Sequence, residues 1–199
     1  MTCRCALTDA AFARTMVPKW GKSELTWFIA NALPRVGVDK QRAIIAEAWA
    51  SWSRVCGLTF KYVTDERQAD IVVGCGRGKR ANFDGPGNTA AWAQLPSSEN
   101  FDGQLLLMYD MDEQWDEDSL LGISVHEGGH NLGLSHGPQN CIMSPVYSGD
   151  YQTPQKWDIA EAQSRYGKPV QQEPAGDDKP DEVVVRVNGK RYRGLLEPA

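Results

Sequence analysis

The spacing of apolar residues changes period several times along the chain, and each change predicts an element. Leu25-Thr26-Trp27-Phe28-Ile29, β-branched and aromatic, predicts a strand, closed off by Pro34 and Gly37. Over residues 40–55 the spacing becomes helical. Ile44, Ala48, Trp49, Trp52 and Val55 recur at helical intervals, Asp39 stands where an N-cap is wanted, and Gly57 ends the run. Residues 58–63 and 70–73 predict two more strands, the second a continuous apolar run suited to a covered sheet. After a glycine-rich loop over 74–87, residues 89–94 predict a short strand of small residues and 104–109 another apolar strand. A helix is expected from Asp118 or Ser119 to about Leu132, and a last one over 154–166 with Pro154 in its first turn.

Past Gly167 the composition turns to Pro, Gln, Asp and Gly, which have little to bury, so residues 168–180 predict a linker. Val183, Val185 and Val187 then alternate ahead of Asn188-Gly189, a hairpin signal for residues 181–199. A lone two-stranded hairpin is marginal in water, so this tail is expected to dock on a partner. Residues 1–18 hold a Cys-x-Cys pair and little pattern, which leaves 19–167 as the main domain. Strands and helices alternate before residue 117 and helices follow it, an α/β layer carrying a helical lower half.

Composition narrows the function. A chain of 199 residues, 41% hydrophobic, suffices for one compact domain with extra segments. The net charge of −5 argues against a nucleic-acid partner. No apolar run approaches the ~20 residues that span a bilayer, so no membrane partner is expected. The first residues lack an apolar core, so no signal peptide is visible and the compartment stays open. Five cysteines, an odd and scattered set, do not make a disulfide scaffold. The chain has 3 histidines, and all fall within the stretch 126–136.

That stretch reads His126-Glu127-Gly128-Gly129-His130-Asn131-Leu132-Gly133-Leu134-Ser135-His136. On a helix, His126 and His130 share one face and reach one ion. Gly133 permits the turn that brings His136 back as a third ligand. Imidazole nitrogens suit Zn²⁺, and three protein ligands leave the fourth position for water, the arrangement of one catalytic zinc. Glu127 can accept that water's proton as general base and pass it to a leaving amine. Two adjacent glycines in a helix cost about 1 kcal/mol each relative to alanine, so stability alone does not account for them.

The eleven-residue pattern resembles the metzincin clan of zinc endopeptidases, and further segments resemble its matrixin family (catalytic domains of matrix metalloproteinases). Lys19–Trp27 is similar to the family's first strand and Phe83-Asp84-Gly85-Pro86-Gly87 to its calcium-loop signature. Tyr109–Trp115 resembles the acidic stretch after the fourth strand, and Met143-Ser144-Pro145-Val146-Tyr147 the Met-turn and pocket wall. Trp157-Asp158-Ile159 and Tyr166-Gly167 resemble the closing helix. The resemblance covers 19–167 and implies an α/β (α+β) fold, a twisted five-stranded mixed sheet with three main helices. It implies an endopeptidase whose polypeptide substrate lies extended along the edge strand at Ala90, Ala91 and Trp92. Pro145 and Tyr147 would line the pocket for the residue after the scissile bond, with Met143 beneath the zinc. A structural Ca²⁺ would take carboxylates from Asp84, Asp110 and Glu113 and carbonyls from Gly85, Gly87 and Thr89. Family members are usually extracellular.

The departures are specific. The family's second, structural zinc needs histidines where this chain has Trp92 and Met108, so that zinc is not expected. Gly137 stands where matrixins usually show Ser or Thr, and the loops 136–143 and 147–158 are short. Arg4-Cys5-Ala6-Leu7-Thr8-Asp9 resembles the cysteine-switch segment, whose thiolate fills the open zinc position, but Ala6 and Thr8 replace its Gly and Pro. A disordered N-terminus with free thiols is the plainer reading of it. Two other functions stand beside the endopeptidase: a non-catalytic, zinc-stabilised assembly protein, and a zinc hydrolase of another amide such as peptidoglycan cross-links.

Overall fold

The computed structural model describes residues 18–96 and 103–169, apart from the side chain of Tyr147, and the backbone of residues 3–4, 182–187 and 190–195. Its contacts divide the chain into two compact units, Met1–Pro169 and Val170–Ala199. In the first, β1 (Cys3–Arg4), β2 (Glu24–Ile29), α1 (Val38–Ser53), β3 (Thr59–Tyr62), β4 (Ile71–Gly76) and β5 (Ala91–Ala93) are followed by β6 (Leu105–Asp110), α2 (Glu117–Asn131), β7 (Val146–Tyr147) and α3 (Lys156–Tyr166). The second is an antiparallel hairpin of β8 (Glu182–Val187) and β9 (Lys190–Leu195), paired from Glu182↔Leu195 to Val187↔Lys190. The expected Asn188-Gly189 turn lies outside the described residues.

The main sheet runs β3-β2-β4-β6-β5. Its first four strands are parallel, and only β5 runs antiparallel, on β6 at the edge. The five-stranded mixed sheet and three helices are the α/β fold expected of a matrixin domain. Strand β4 is buried along almost its whole length, as its continuous apolar run requires of a strand covered on both faces. Among the described residues, no helix is long and apolar enough to cross a membrane. Cys56, Cys75 and Cys141 are buried free thiols.

Helix starts differ from the sequence reading, each for a local reason. Helix α1 begins at Val38 after Gly37 (φ 84°), with no side-chain cap; Asp39 sits in the first turn and accepts from Arg42 at 2.9 Å. Helix α2 begins at Glu117, because Asp116 accepts from the Ser119 amide at 2.7 Å while Ser119 Oγ returns to the Asp116 amide. Ser119 is thus the cap's partner rather than the cap. Pro154 stays outside α3, which starts at Lys156 once Asp158 accepts from the Gln155 amide at 2.7 Å.

Packing explains the paired glycines. Helix α1 lays Trp49 and Trp52 against α2, with Trp49 stacked on Phe60 at 4.7 Å and Trp52 Nε1 donating to the Val125 carbonyl at 3.0 Å. A Cβ at Gly128 would stand 2.7 Å from Trp49 Cζ3, and one at Gly129 would overlap Met143 Sδ. These residues are glycine because two large side chains from distant segments reach the helix backbone there. Gly128→Ala is therefore expected to destabilise the protein by about 1–3 kcal/mol, despite the ~1 kcal/mol that alanine gains in helix propensity. A urea midpoint at or above the parent's would show that Trp49 yields instead.

Candidate active site

The site is built on the end of helix α2. His126 and His130, one turn apart and both buried, bring their Nε2 atoms to 3.1 Å. Each Nδ1 meets a backbone carbonyl at 2.7 Å, Ile142 for His126 and Leu134 for His130. A carbonyl only accepts, so each Nδ1 carries the proton and each Nε2 presents a bare lone pair. Burial pulls the His126 pKa down to about 4 and holds His130 well below its ordinary value, so both rings are neutral.

The helix stops where a third ligand needs it to. Gly133 turns with φ 82°, its amide donating to His130 and that of Leu134 to Gly129. The carbonyls left over at the helix end are taken by Trp20 Nε1, on Asn131 at 2.9 Å, and by the Tyr166 hydroxyl, on Leu132 at 2.8 Å. His136 then returns, its ring 4.9 Å from that of His130 and 5.6 Å from that of His126. Ligand atoms of the three lie within 4.8 Å of one another, the one such metal-sized group among the described residues.

These residues fit zinc. Tetrahedral nitrogens at ~2.0–2.1 Å from one ion stand roughly 3.3 Å apart, close to the His126–His130 separation. Two bare lone pairs facing each other at 3.1 Å repel unless a cation lies between them. Glu127, beside the first ligand, is 2% exposed.

Beneath the site, Met143 is fully buried, and the turn it belongs to hangs on Asp158. That carboxylate, also fully buried, accepts from the Ile142 amide at 2.9 Å and the Met143 amide at 3.2 Å. Ile142 in turn orients His126, so Asp158 fixes a ligand through one peptide. Burial, and then the charge of Asp158, pushes the Cys141 thiol up to about 12, and it donates to the Pro138 carbonyl at 3.0 Å. The sequence quoted Asp158 only as part of a motif, and its role becomes visible once the turn is folded over it.

Strand β5 packs against helix α2. Asn131, next to His130, donates to the Gln94 carbonyl at 2.9 Å and the Leu106 carbonyl at 3.1 Å, tying the edge of the sheet to the ligand helix. The sequence reading missed this residue, which stands between the last helical ligand and Leu132 inside the motif. Ala90 and Ala91 are buried in the core, and the Trp92 indole donates to the Ala81 carbonyl at 2.9 Å. The strand therefore offers backbone at its edge. Pro145 leads into β7, which pairs antiparallel with β1, Cys3 opposite Tyr147 and Arg4 opposite Val146. Neither short strand was expected. Cys5 and the Tyr147 side chain lie outside the described residues.

The acidic residues meet around the loop that Gly85 and Gly87 turn, with φ 92° and 99°. Asp84 accepts from the Thr89 amide at 3.2 Å and Glu113 from the Gly87 amide. Asp110 accepts from the Asp112 amide through Oδ1 at 2.9 Å, while its Oδ2 is buried without a hydrogen bond. Burial, helped by the charges of Asp112 and Asp84, raises the Asp110 carboxyl above its ordinary pKa. Their oxygens do not gather as tightly as the histidine nitrogens do.

Comparison with known proteins gives the same frame. Matrix metalloproteinase-C of Caenorhabditis elegans is 33% identical over 201 residues, covering 88% of this chain and 34% of its own length. Interstitial collagenase of Sus scrofa is 36% identical over 192 residues, with 89% and 39% covered. Matrilysin of Rattus norvegicus is 37% identical over 182 residues, with 83% and 66% covered. The chain thus spans between about a third and two thirds of the length of these relatives. The sequence model of the matrixin peptidases matches residues 19–167, the span that holds the sheet, the three helices and the three-histidine centre, and the chain belongs to the matrixin family.

Proposed function

We propose that this chain is a zinc-dependent endopeptidase that cleaves polypeptides bound in extended form. The convergence of three imidazoles with a buried carboxylate next to the first of them, on a helix tied to a sheet edge, carries the reading. His126, His130 and His136 would hold the zinc, which supplies Lewis acidity and a more acidic water. The substrate backbone adds to the edge of β5, and Asn131 keeps that edge in register with the ligand helix. Glu127 takes a proton from the attacking water as the C–O bond forms, then gives it to the nitrogen as the C–N bond breaks. An assembly protein would need the ligands but not a proton acceptor such as Glu127 next to them. Glu127→Ala should retain zinc and lose about 10²–10⁴-fold in turnover. Elemental analysis should find one zinc per chain, since Trp92 is bonded to Ala81 and Met108 Sδ fills the space over Gly74. Unchanged turnover would overturn the mechanism, and two zincs the assignment of one.

We also propose a structural calcium at Asp84, Asp110 and Glu113, with carbonyls of Gly85, Gly87 and Thr89. The support is the buried, unbonded Oδ2 of Asp110 with other carboxylates around it. An ion that binds only the folded chain stabilises it by mass action. Calcium at about a hundredfold its Kd should raise Tm by roughly 5–10 °C in the parent and not in Asp110→Ala. Equal shifts in both would remove the site.

The N-terminal segment is proposed as a brake through Cys5. The β1–β7 register steps from Tyr147 to Val146 as the chain passes from Cys3 to Arg4, toward the Met143 side of β7. A tethered thiolate has a high effective concentration at a metal within its reach. Cys5→Ser, or removal of residues 1–17, should raise the initial rate, and Cys3→Ser should do much less. Equal rates at equal zinc content would make the segment a bystander.

A further inference from the structure

His126 and His130 ride on a helix, whereas His136 lies on irregular backbone, so the packing of that backbone bears directly on its position. The next residue is Gly137, whose amide donates to the Met143 carbonyl at 2.8 Å. A Cβ there would stand 2.6 Å from both Cε3 and Cζ3 of Trp157 and 2.7 Å from Cys141 Sγ. Trp157 is the second residue of α3, and its neighbour Asp158 holds the amides of Ile142 and Met143. One step of helix α3 therefore grips the loop at both ends, the indole at Gly137 and the carboxylate at the Met143 turn.

We propose that Trp157 is the positioning residue for His136: its indole occupies the space of a side chain at 137 and fixes the third metal ligand by packing. This rests on the reading of the three histidines as a zinc site. Gly137 is then glycine because the indole is there, and the two residues work as a pair with Cys141 as the third contact. A ligand held by packing loses its place when the packing partner shrinks, and it is equally displaced when a methyl is forced between them. The helix-borne ligands do not share this dependence.

The test measures zinc release from the loaded full-length protein to an excess of chromogenic chelator, together with the visible spectrum of the cobalt-substituted form. Trp157→Ala should release zinc at least about tenfold faster, as loss of a ligand's support commonly does, and should shift the cobalt bands; Trp157→Phe should fall between it and the parent. Gly137→Ala alone should also release faster. The double variant Gly137→Ala/Trp157→Ala should release more slowly than Gly137→Ala, because the vacated space accepts the methyl and lets the Cys141 thiol swing aside. Ile45→Val, a core change on α1, should leave release and spectrum unchanged. Additive effects at 137 and 157, or parental release in Trp157→Ala, would overturn the proposal. If Trp157→Ala does not fold, Gly137→Ala/Trp157→Phe against Gly137→Ala makes the same comparison. A parent chain that takes up no zinc would overturn the zinc reading instead.

Discussion

Helix α2 has to stop within one turn of His130, and most of the fold serves that stop. Had the helix continued, residue 136 would lie ~9 Å further along the axis and rotated by about 240° from His130. Gly133 makes the reversal affordable because a left-handed φ costs glycine little. A helix ended inside a core still leaves carbonyls that water cannot reach. Trp20 and Tyr166 satisfy two of them, and these residues stand near the two ends of the 19–167 span. The active-site turn is therefore closed by both ends of the domain, so the metal centre and the domain's boundaries form one problem in folding.

Asp158 is the second constraint. A fully buried carboxylate is costly unless its oxygens are bonded, and here three amides, from Gln155, Ile142 and Met143, bond them. Hydrogen bonds to a charged group are worth about 1.5–3 kcal/mol each, enough to hold an irregular turn that has no ladder of its own. The same group starts α3 and anchors the Met143 turn, so the helix start, the turn and the orientation of His126 depend on one side chain. Met143 adds packing against Gly129 rather than chemistry.

What could be read from the sequence follows the range of the forces involved. Strands announced by β-branched and aromatic runs, such as Leu25–Ile29, were legible because alternation and propensity are local. The histidine spacing was legible because a ligand face and a glycine stop are local too. Helix starts were displaced by one to two residues, because Asp116 and Gln155 compete with near neighbours for the capping role and only geometry decides between them. The reason for Gly128 and Gly129 was not legible at all, since Trp49 comes from α1 and Met143 from a turn beyond the helix. Strands β1 and β7, two residues each, lie below any periodicity. Asn131 sat inside the motif, but its partners Gln94, just past β5, and Leu106, on β6, approach only after folding.

The departures from the matrixin pattern have a common physical sense. Where the family places histidines for a second zinc, this chain has Trp92, hydrogen-bonded to Ala81, and Met108, packed over Gly74. Beside the third ligand, where a Ser or Thr is usual, Gly137 leaves room for the ring of Trp157. In both places a large apolar side chain fills the position and a polar or ion-binding group is absent. A loop held by an ion opens when the ion is chelated, whereas one held by a packed ring is indifferent to metal and opens only with the core around it. The sheet face around Trp92 is accordingly expected to keep its structure without a second zinc. The zinc dependence proposed for this chain therefore falls on the three histidines, and the proposed calcium on the separate loop around Asp84, Asp110 and Glu113.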